Sequence, residues 1–251
     1  LFNFSISIVS HHQAPLVHAL LDDLQRDCAD LSMEVILTLN VTESLPFELK
    51  QYAFPIHLIH NAAPKGFGAN HNAAFRVATG AYFCILNPDI RLLNNPFPTL
   101  VDCLQHSAIG LVAPRVVNRE GVREDSARRF PALSEIARKF FGGKSAVYIE
   151  DHQPIFYPDW VAGMFMLVPH KVFQSVGGFD EGYFLYYEDV DLCARLTLAN
   201  HRIALCSSVS VIHDARRSSH KNLRFMRLHF TSIVRFFTSS VYRQLRRSIS
   251  R

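Results

Sequence analysis

The 251-residue chain has no acidic residue after Asp214, a single tryptophan, and five cysteines without any CxxC spacing. Each shortage excludes something. Cys28, Cys84, Cys103, Cys193 and Cys206 form an odd set, several of them inside apolar runs. That pattern argues against a zinc ribbon or a disulfide framework and for buried free thiols in a reducing compartment. No apolar run approaches the roughly 20 residues that a membrane-spanning helix needs. No signal-peptide pattern precedes the first strand, so a cytoplasmic protein is expected. Low-complexity tracts and internal repeats are also missing, which excludes solenoids and propellers.

What is present is a hydrophobic content of 49%, enough for one large α/β domain with a full core. The net charge of +4 hides an asymmetry: residues 1–214 sum to −6 and residues 215–251 to +10. We therefore expect a domain over 1–214 and a basic C-terminal segment over 215–251. In that segment Leu223, Met226, Phe230, Ile233, Val234, Phe237, Val241 and Leu245 recur at helical spacing, while Arg224, Arg227, Arg243 and Arg246 take other positions. This is a basic amphipathic helix, suited to an anionic membrane surface. A helix packed on the domain, or on a second subunit of a homodimer, is the competing reading. The acidic body argues against nucleic acid as a main partner.

Phe2–Val9 reads as a first strand, a helix starts near Pro15 and carries Leu16, Leu20, Leu21 and Leu24, and Glu34–Leu39 is a second strand. Strand, helix, strand implies a parallel sheet, whose ligands sit at the carboxyl ends of its strands. His11 and His12 in the first loop are expected to be solvated. Ile56–His60 is a third strand, and Gly66 and Gly68 precede a helix that runs to Gly80. A glycine-rich lead into a helix presents amide hydrogens to an anion, or simply packs closely on the sheet.

Tyr82–Asp89 is an apolar strand ended by Pro88, which leaves Asn87 and Asp89 at its carboxyl end. A hard Mg²⁺ or Mn²⁺ takes such oxygen ligands; an Asn-Pro-Asp turn is the plainer alternative. A helix over Pro96–His106 and a strand over Ile109–Pro114 follow, then a polar, irregular stretch, 115–154, with a Gly142-Gly143 break. Asp159–Pro169 reads as one buried strand bearing Trp160. Arg202–Cys206 and Val209–Ile212 read as two short strands, the second leading into His213.

The stretch around which the rest is organised is Gly177–Arg195, GGFDEGYFLYYEDVDLCAR. It places Asp180, Glu181, Glu188, Asp189 and Asp191 around an aromatic run, and buried acids are costly without a partner or a task. From Glu188 onward the pattern is that of a helix with acids in its first turn, where the helix dipole favours them. Asp191 and Arg195 stand at i,i+4 and can pair.

This stretch resembles the GGFDE–FLYxEDVDLCxR segment of family 2 glycosyltransferases, in particular their rhamnosyltransferase-like branch, and the likeness extends over nearly residues 2–230. The resemblance implies an α/β, nucleotide-sugar-binding (GT-A-like) domain with a mostly parallel central sheet. It implies that Asp189 is the catalytic base, with Glu188 and Asp191 positioning acceptor or loop. It makes Asp89, with Asn87 beside it, and His213 the holders of Mg²⁺ or Mn²⁺. The GFGAxxN segment implies donor contacts for Gly66, Phe67, Asn70 and Asn72, with Lys65 opposite the diphosphate. Trp160 and Gly163 are implied to border donor sugar and acceptor, with a packed core tryptophan as the alternative; the loop bearing Arg128 and Arg129 is implied to lie over the site, where either could meet a phosphate, or it is a solvated basic loop. Where the family has an Asp-Asn-x-Ser-like segment this chain reads Leu39-Asn40-Val41-Thr42, so Asn40 and Thr42 keep polar contacts and the carboxylate is missing.

The implied reaction is inverting transfer from dTDP-L-rhamnose to a cell-surface polysaccharide or its lipid-linked precursor, with the enzyme on the inner face of the cell membrane. A UDP-sugar-dependent transferase and a non-catalytic nucleotide- or glycan-binding relative are the alternatives.

Overall fold

The computed structural model of the chain describes residues 3–106, 108–132, 153–214 and 223–249. Its first half follows from the apolar runs. Strands β1 (Phe4–Ser10), β2 (Met33–Leu39), β3 (Ile56–His60) and β4 (Tyr82–Leu86) pair in parallel in the order β3-β2-β1-β4. Helix α1 (Ala14–Asp27) makes the first crossover and α2 (Phe67–Phe75) follows β3. Successive side chains on a strand face opposite ways. Thus Cys84 and Leu86 join the core beneath α1, while Phe83 and Ile85 join the core on the other face.

The second half adds β5 (Ile90–Leu92), α3 (Phe97–Leu104), β6 (Ile109–Val117), β7 (Ala127–Arg128), β8 (Ile155–Phe156), β9 (Trp160–Val161), β10 (Phe165–Pro169), α4 (His170–Ser175), α5 (Glu188–Leu198) and β11 (Arg202–His213). The full sheet has nine strands, with β10 inserted antiparallel between β4 and β6 and β11 parallel to β6. β7 and β9 form a separate two-stranded ribbon. Helices α1 and α3 cover one face; α2, α4 and α5 cover the other. All five cysteines are free and buried.

Several expectations are corrected. The helix after Gly66 stops at Phe75, short of Gly80. Asp159–Pro169 is two strands, because the chain turns at Ala162–Met164 with Met164 N–H donating to Ala162 O. Conversely, Arg202–Cys206 and Val209–Ile212 are one strand of 12 residues, which absorbs Ser207 and Ser208 at an irregularity in its pairing with β6. The polar stretch 115–154 holds the end of β6 and all of β7, while the Gly142-Gly143 break lies outside the described residues.

The C-terminal segment is two helices, α6 (Leu223–Thr238) and α7 (Ser240–Ile249). They divide at Ser239, whose hydroxyl accepts the Tyr242 N–H at 3.0 Å, an N-cap bond. The boundary expected at 214/215 borders residues 215–222, which lie outside the described residues. Phe236, Tyr242 and Leu245 are buried against Tyr183, Val190 and Ala194, so these helices dock on α5.

Candidate active site

The carboxyl ends of β1, β2 and β4 converge on a cavity of about 370 Å³. Its lining includes His11, Asn40, Lys65, Phe67, Asn70, Asn87 and Asp89, which are brought together from four separate stretches of sequence. Phe184 and Leu185 line it from the acidic motif, and Phe225 and Leu228 from α6.

Asn40 is buried, and its amide clamps the backbone of Lys65: Oδ1 accepts the Lys65 N–H at 2.8 Å and Nδ2 donates to Lys65 O at 3.0 Å. Asn61 donates to both Asn40 Oδ1 and Asn70 Oδ1, and Asn70 donates to Gly66 O. Three asparagines thus hold the 61–66 loop that forms one wall. Asn72 serves elsewhere: its Oδ1 accepts the Phe179 N–H and its Nδ2 donates to Phe179 O, fixing the start of the acidic motif.

The lead into α2 does not present its first amide to a ligand. Phe67 N–H donates to Phe184 O at 2.9 Å, and a Cβ on Gly66 would lie 2.8 Å from the Phe184 backbone. Glycine at 66 is what lets the two segments touch.

At the far end of the cavity, Asp89 Oδ2 lies 3.2 Å from His213 Nε2, while His213 Nδ1 lies 2.6 Å from Glu124 Oε2. β5 and β11 pair at Ile90 and His213, which brings these side chains together. Burial pulls the His213 pKa down, but the hydrogen bonds to Asp89 and Glu124 outweigh it and hold it at about 9. Asp89 Oδ1 is buried without a hydrogen-bond partner. A carboxylate oxygen in that state is costly, and a hard divalent cation would satisfy it.

Adjacent ligands of an octahedral ion, each about 2.1 Å from it, stand about 3 Å apart. Asp89 Oδ2 and His213 Nε2, 3.2 Å apart, are near that spacing and are also within hydrogen-bond reach of each other. Among the described residues no cluster of three or more His, Cys, Asp and Glu is arranged to hold a metal ion. One carboxylate and one imidazole completed by diphosphate oxygens need no such cluster.

The acidic pair lies beyond Phe67. Tyr186 and Tyr187 both adopt positive φ, 72° and 68°, which forces the chain sharply into α5 and sets Glu188 and Asp189 at its first turn. Asp189 accepts N–H bonds from Gly163 at 3.2 Å and from Val190 at 2.8 Å. Glu188 is buried and its Oε2 has no partner. Burial raises the pKa of both: Glu188 reaches about 8, with the Asp189 charge as a further cause, whereas the backbone N–H bonds counter the rise at Asp189. Two buried carboxyls this close do not both ionise readily, so the pair favours holding a proton.

Asp191 is buried and bonds Arg195 at 2.7 Å, and Arg195 reaches Val176 O. It anchors α5 to the turn before the motif and does not line the cavity. Trp160 is fixed by its Nε1–H to Arg129 O at 2.9 Å, with the Arg128 guanidinium 5.6 Å from its ring centroid. Arg128 itself pairs with Asp125. A Cβ on Gly163 would lie 3.1 Å from the Phe67 ring, so Phe67 lies between the cavity it lines and Gly163, which donates to Asp189.

The profile of the family described as Glycosyl transferase family 2 matches residues 5–166. Rhamnosyltransferase WbbL of Escherichia coli (strain K12) is 32% identical, over 96% of this chain and 92% of that protein. The N-acetylglucosaminyl-diphospho-decaprenol L-rhamnosyltransferase of Mycobacterium tuberculosis is 30% identical over 54% of this chain and 47% of its own length. Among solved structures, GalNAc-T7 with UDP, GalNAc and Mn²⁺ superposes with a TM-score of 0.69 at 13% identity, covering 94% of this chain and 48% of that one. That last likeness is one of fold.

Proposed function

The chain belongs to glycosyl transferase family 2 and is a glycosyltransferase, and we propose that it moves L-rhamnose from dTDP-L-rhamnose, with inversion, to a hydroxyl of a polysaccharide or lipid-linked glycan precursor. The observation that carries the donor reading is the 32% identity to a rhamnosyltransferase along almost the whole of both chains. The nucleotide sugar occupies the cavity at the strand ends, against Asn40, Lys65, Phe67, Asn70 and Asn87. Asp89 and His213 would hold Mg²⁺ or Mn²⁺, which would supply positive charge against the negative charge developing on the departing diphosphate.

Asp189 takes the proton of the acceptor hydroxyl as its oxygen attacks the anomeric carbon and the bond to the nucleoside diphosphate breaks. Its carboxylate is aimed by the Gly163 and Val190 amides, whose N–H bonds favour the ionised form against the rise that burial causes. Glu188 holds a proton beside it, and Asp191 steadies the helix that carries both. Trp160 borders the acceptor side.

The exposed face of α6 bears on an anionic membrane. Met226, Phe230 and Val234, one turn apart, are 62%, 67% and 45% exposed, and Arg227, Arg243 and Arg247 are exposed nearby in sequence. Among the described residues no helix is long and apolar enough to cross a membrane.

The test is thermal stabilisation by dTDP, UDP and GDP, each with and without Mn²⁺, followed by donor turnover over a panel of sugar nucleotides. A Mn²⁺-dependent shift strongest with dTDP, lost in Asp89→Ala, supports the reading. Preference for UDP moves the donor to a UDP-sugar, and no shift with any nucleotide overturns the donor site.

A further inference from the structure

His213 is held from both sides. Its Nε2 faces Asp89, and its Nδ1 is 2.6 Å from Glu124 Oε2, a contact between residues 89 positions apart. Glu124 reaches it from a built hairpin. Asn118 Oδ1 accepts the N–H groups of Glu120 and Val122, Gly121 takes a φ of 75°, Val117 bridges to Arg123, and Glu124 N–H donates to Val116 O. An imidazole that binds a cation through one nitrogen must keep a lone pair there, and the hydrogen bond at the other nitrogen decides the tautomer.

We infer that Glu124 is a positioning residue of the cation site, accepting Nδ1–H of His213 and so leaving Nε2, which faces Asp89 Oδ2 at 3.2 Å, as the nitrogen turned toward a cation held by Asp89. The same segment runs on toward the acidic pair: Ala162 N–H donates to Ser126 O, and the next residue, Gly163, donates to Asp189. Glu124 therefore belongs to a short strap, one end of which touches His213 while the other holds Ala162, the neighbour of the glycine that donates to Asp189.

The inference rests on the reading of Asp89 and His213 as cation holders, and the test separates the two. Mn²⁺ is titrated into the full chain in the presence of dTDP, and separately UDP, with affinity followed by the EPR signal of free Mn²⁺. Imidazole coordination is read from the nitrogen modulation of the bound ion. Outer-shell partners of metal-bound histidines are typically worth about 10–100-fold in affinity. Glu124→Ala is expected to weaken Mn²⁺ by that range and diminish the imidazole signal. Glu124→Gln, which retains an acceptor without the charge, is expected to fall between Glu124→Ala and the unmodified chain.

Binding and nitrogen modulation unchanged in both variants would overturn the inference even if Asp89→Ala abolishes binding. Mn²⁺ binding insensitive to Asp89→Ala would overturn both readings together. Should Glu124→Ala fail to fold, Glu124→Gln decides alone: unchanged affinity and nitrogen modulation overturn the inference, and weaker binding with a smaller nitrogen signal supports it.

Discussion

Gly163 donates its backbone N–H to the Asp189 carboxylate at 3.2 Å while its missing side chain leaves room for the Phe67 ring, to which a Cβ would come within 3.1 Å. One glycine thus joins the wall of the cavity to the proposed base. The expected outcome for Asp189→Asn is a loss of transfer of about 10²–10⁴-fold, the usual worth of a positioned general base. Nucleotide binding, measured separately by calorimetry, should be unchanged, because Asp189 does not line the cavity. Weakened nucleotide binding with normal turnover would argue against the assignment.

Glu188 gives a pH prediction. Its pKa, raised by burial to about 8, exceeds that of an unfolded glutamate, so the folded state holds the extra proton. The associated stability is fully present below the unfolded pKa and is lost as pH rises through about 8. Glu188→Gln abolishes this dependence. The melting-temperature difference, variant minus unmodified chain, should therefore grow from pH 5 to pH 9.

Gly66→Ala places a methyl group 2.8 Å from the Phe184 backbone, where neither side can give by rotating a side chain. Overpacking of this kind costs about 1–3 kcal/mol. Denaturant melts should show that loss, and nucleotide affinity should fall with it because Phe67 and Phe184 both line the cavity.

Phe230→Ser removes the most exposed large side chain of the α6 ridge and touches none of the buried cluster. Co-sedimentation with vesicles containing anionic lipid should decrease while the melting temperature stays within about 1 °C, as for surface substitutions generally. Equal binding of both proteins would sink the membrane reading of this face.

Much of the fold was legible because its strands are continuous apolar runs. β3 coincides with the expected Ile56–His60, and the helix after Tyr187 begins where its acids do. The misses have local causes. β5 has only three residues and α4 six, too few for a periodicity to declare itself. The break at Ser239 did carry a signal, a serine three residues ahead of Tyr242 in a helical pattern, but the apolar spacing runs through it. At the site, Asp89, His213 and Asp189 stand out as polar groups at the ends of apolar elements. Glu124 has no such flank, and only the folded chain brings it to His213 across 89 residues. Asn72 had the same sequence context as Asn70, yet two helical positions apart Asn72 clamps the Phe179 backbone and Asn70 lines the cavity.

Helix α6 is shared property. Phe225 and Leu228 line the cavity, Ser232 hydroxyl donates to Leu185 O, and Arg235 grips Asp180 through bonds of 3.0 and 2.8 Å, while Met226 and Phe230 point outward. Two ligands that act on one rigid body are thermodynamically linked, and the linkage is reciprocal. If an outer-face contact tightens or tilts this helix, nucleotide affinity changes by a definite factor, and nucleotide changes the strength of that contact by the same factor. Occupancy of the cavity and attachment at the ridge then form one cooperative system, with Leu185 and Asp180 as the points where the two meet.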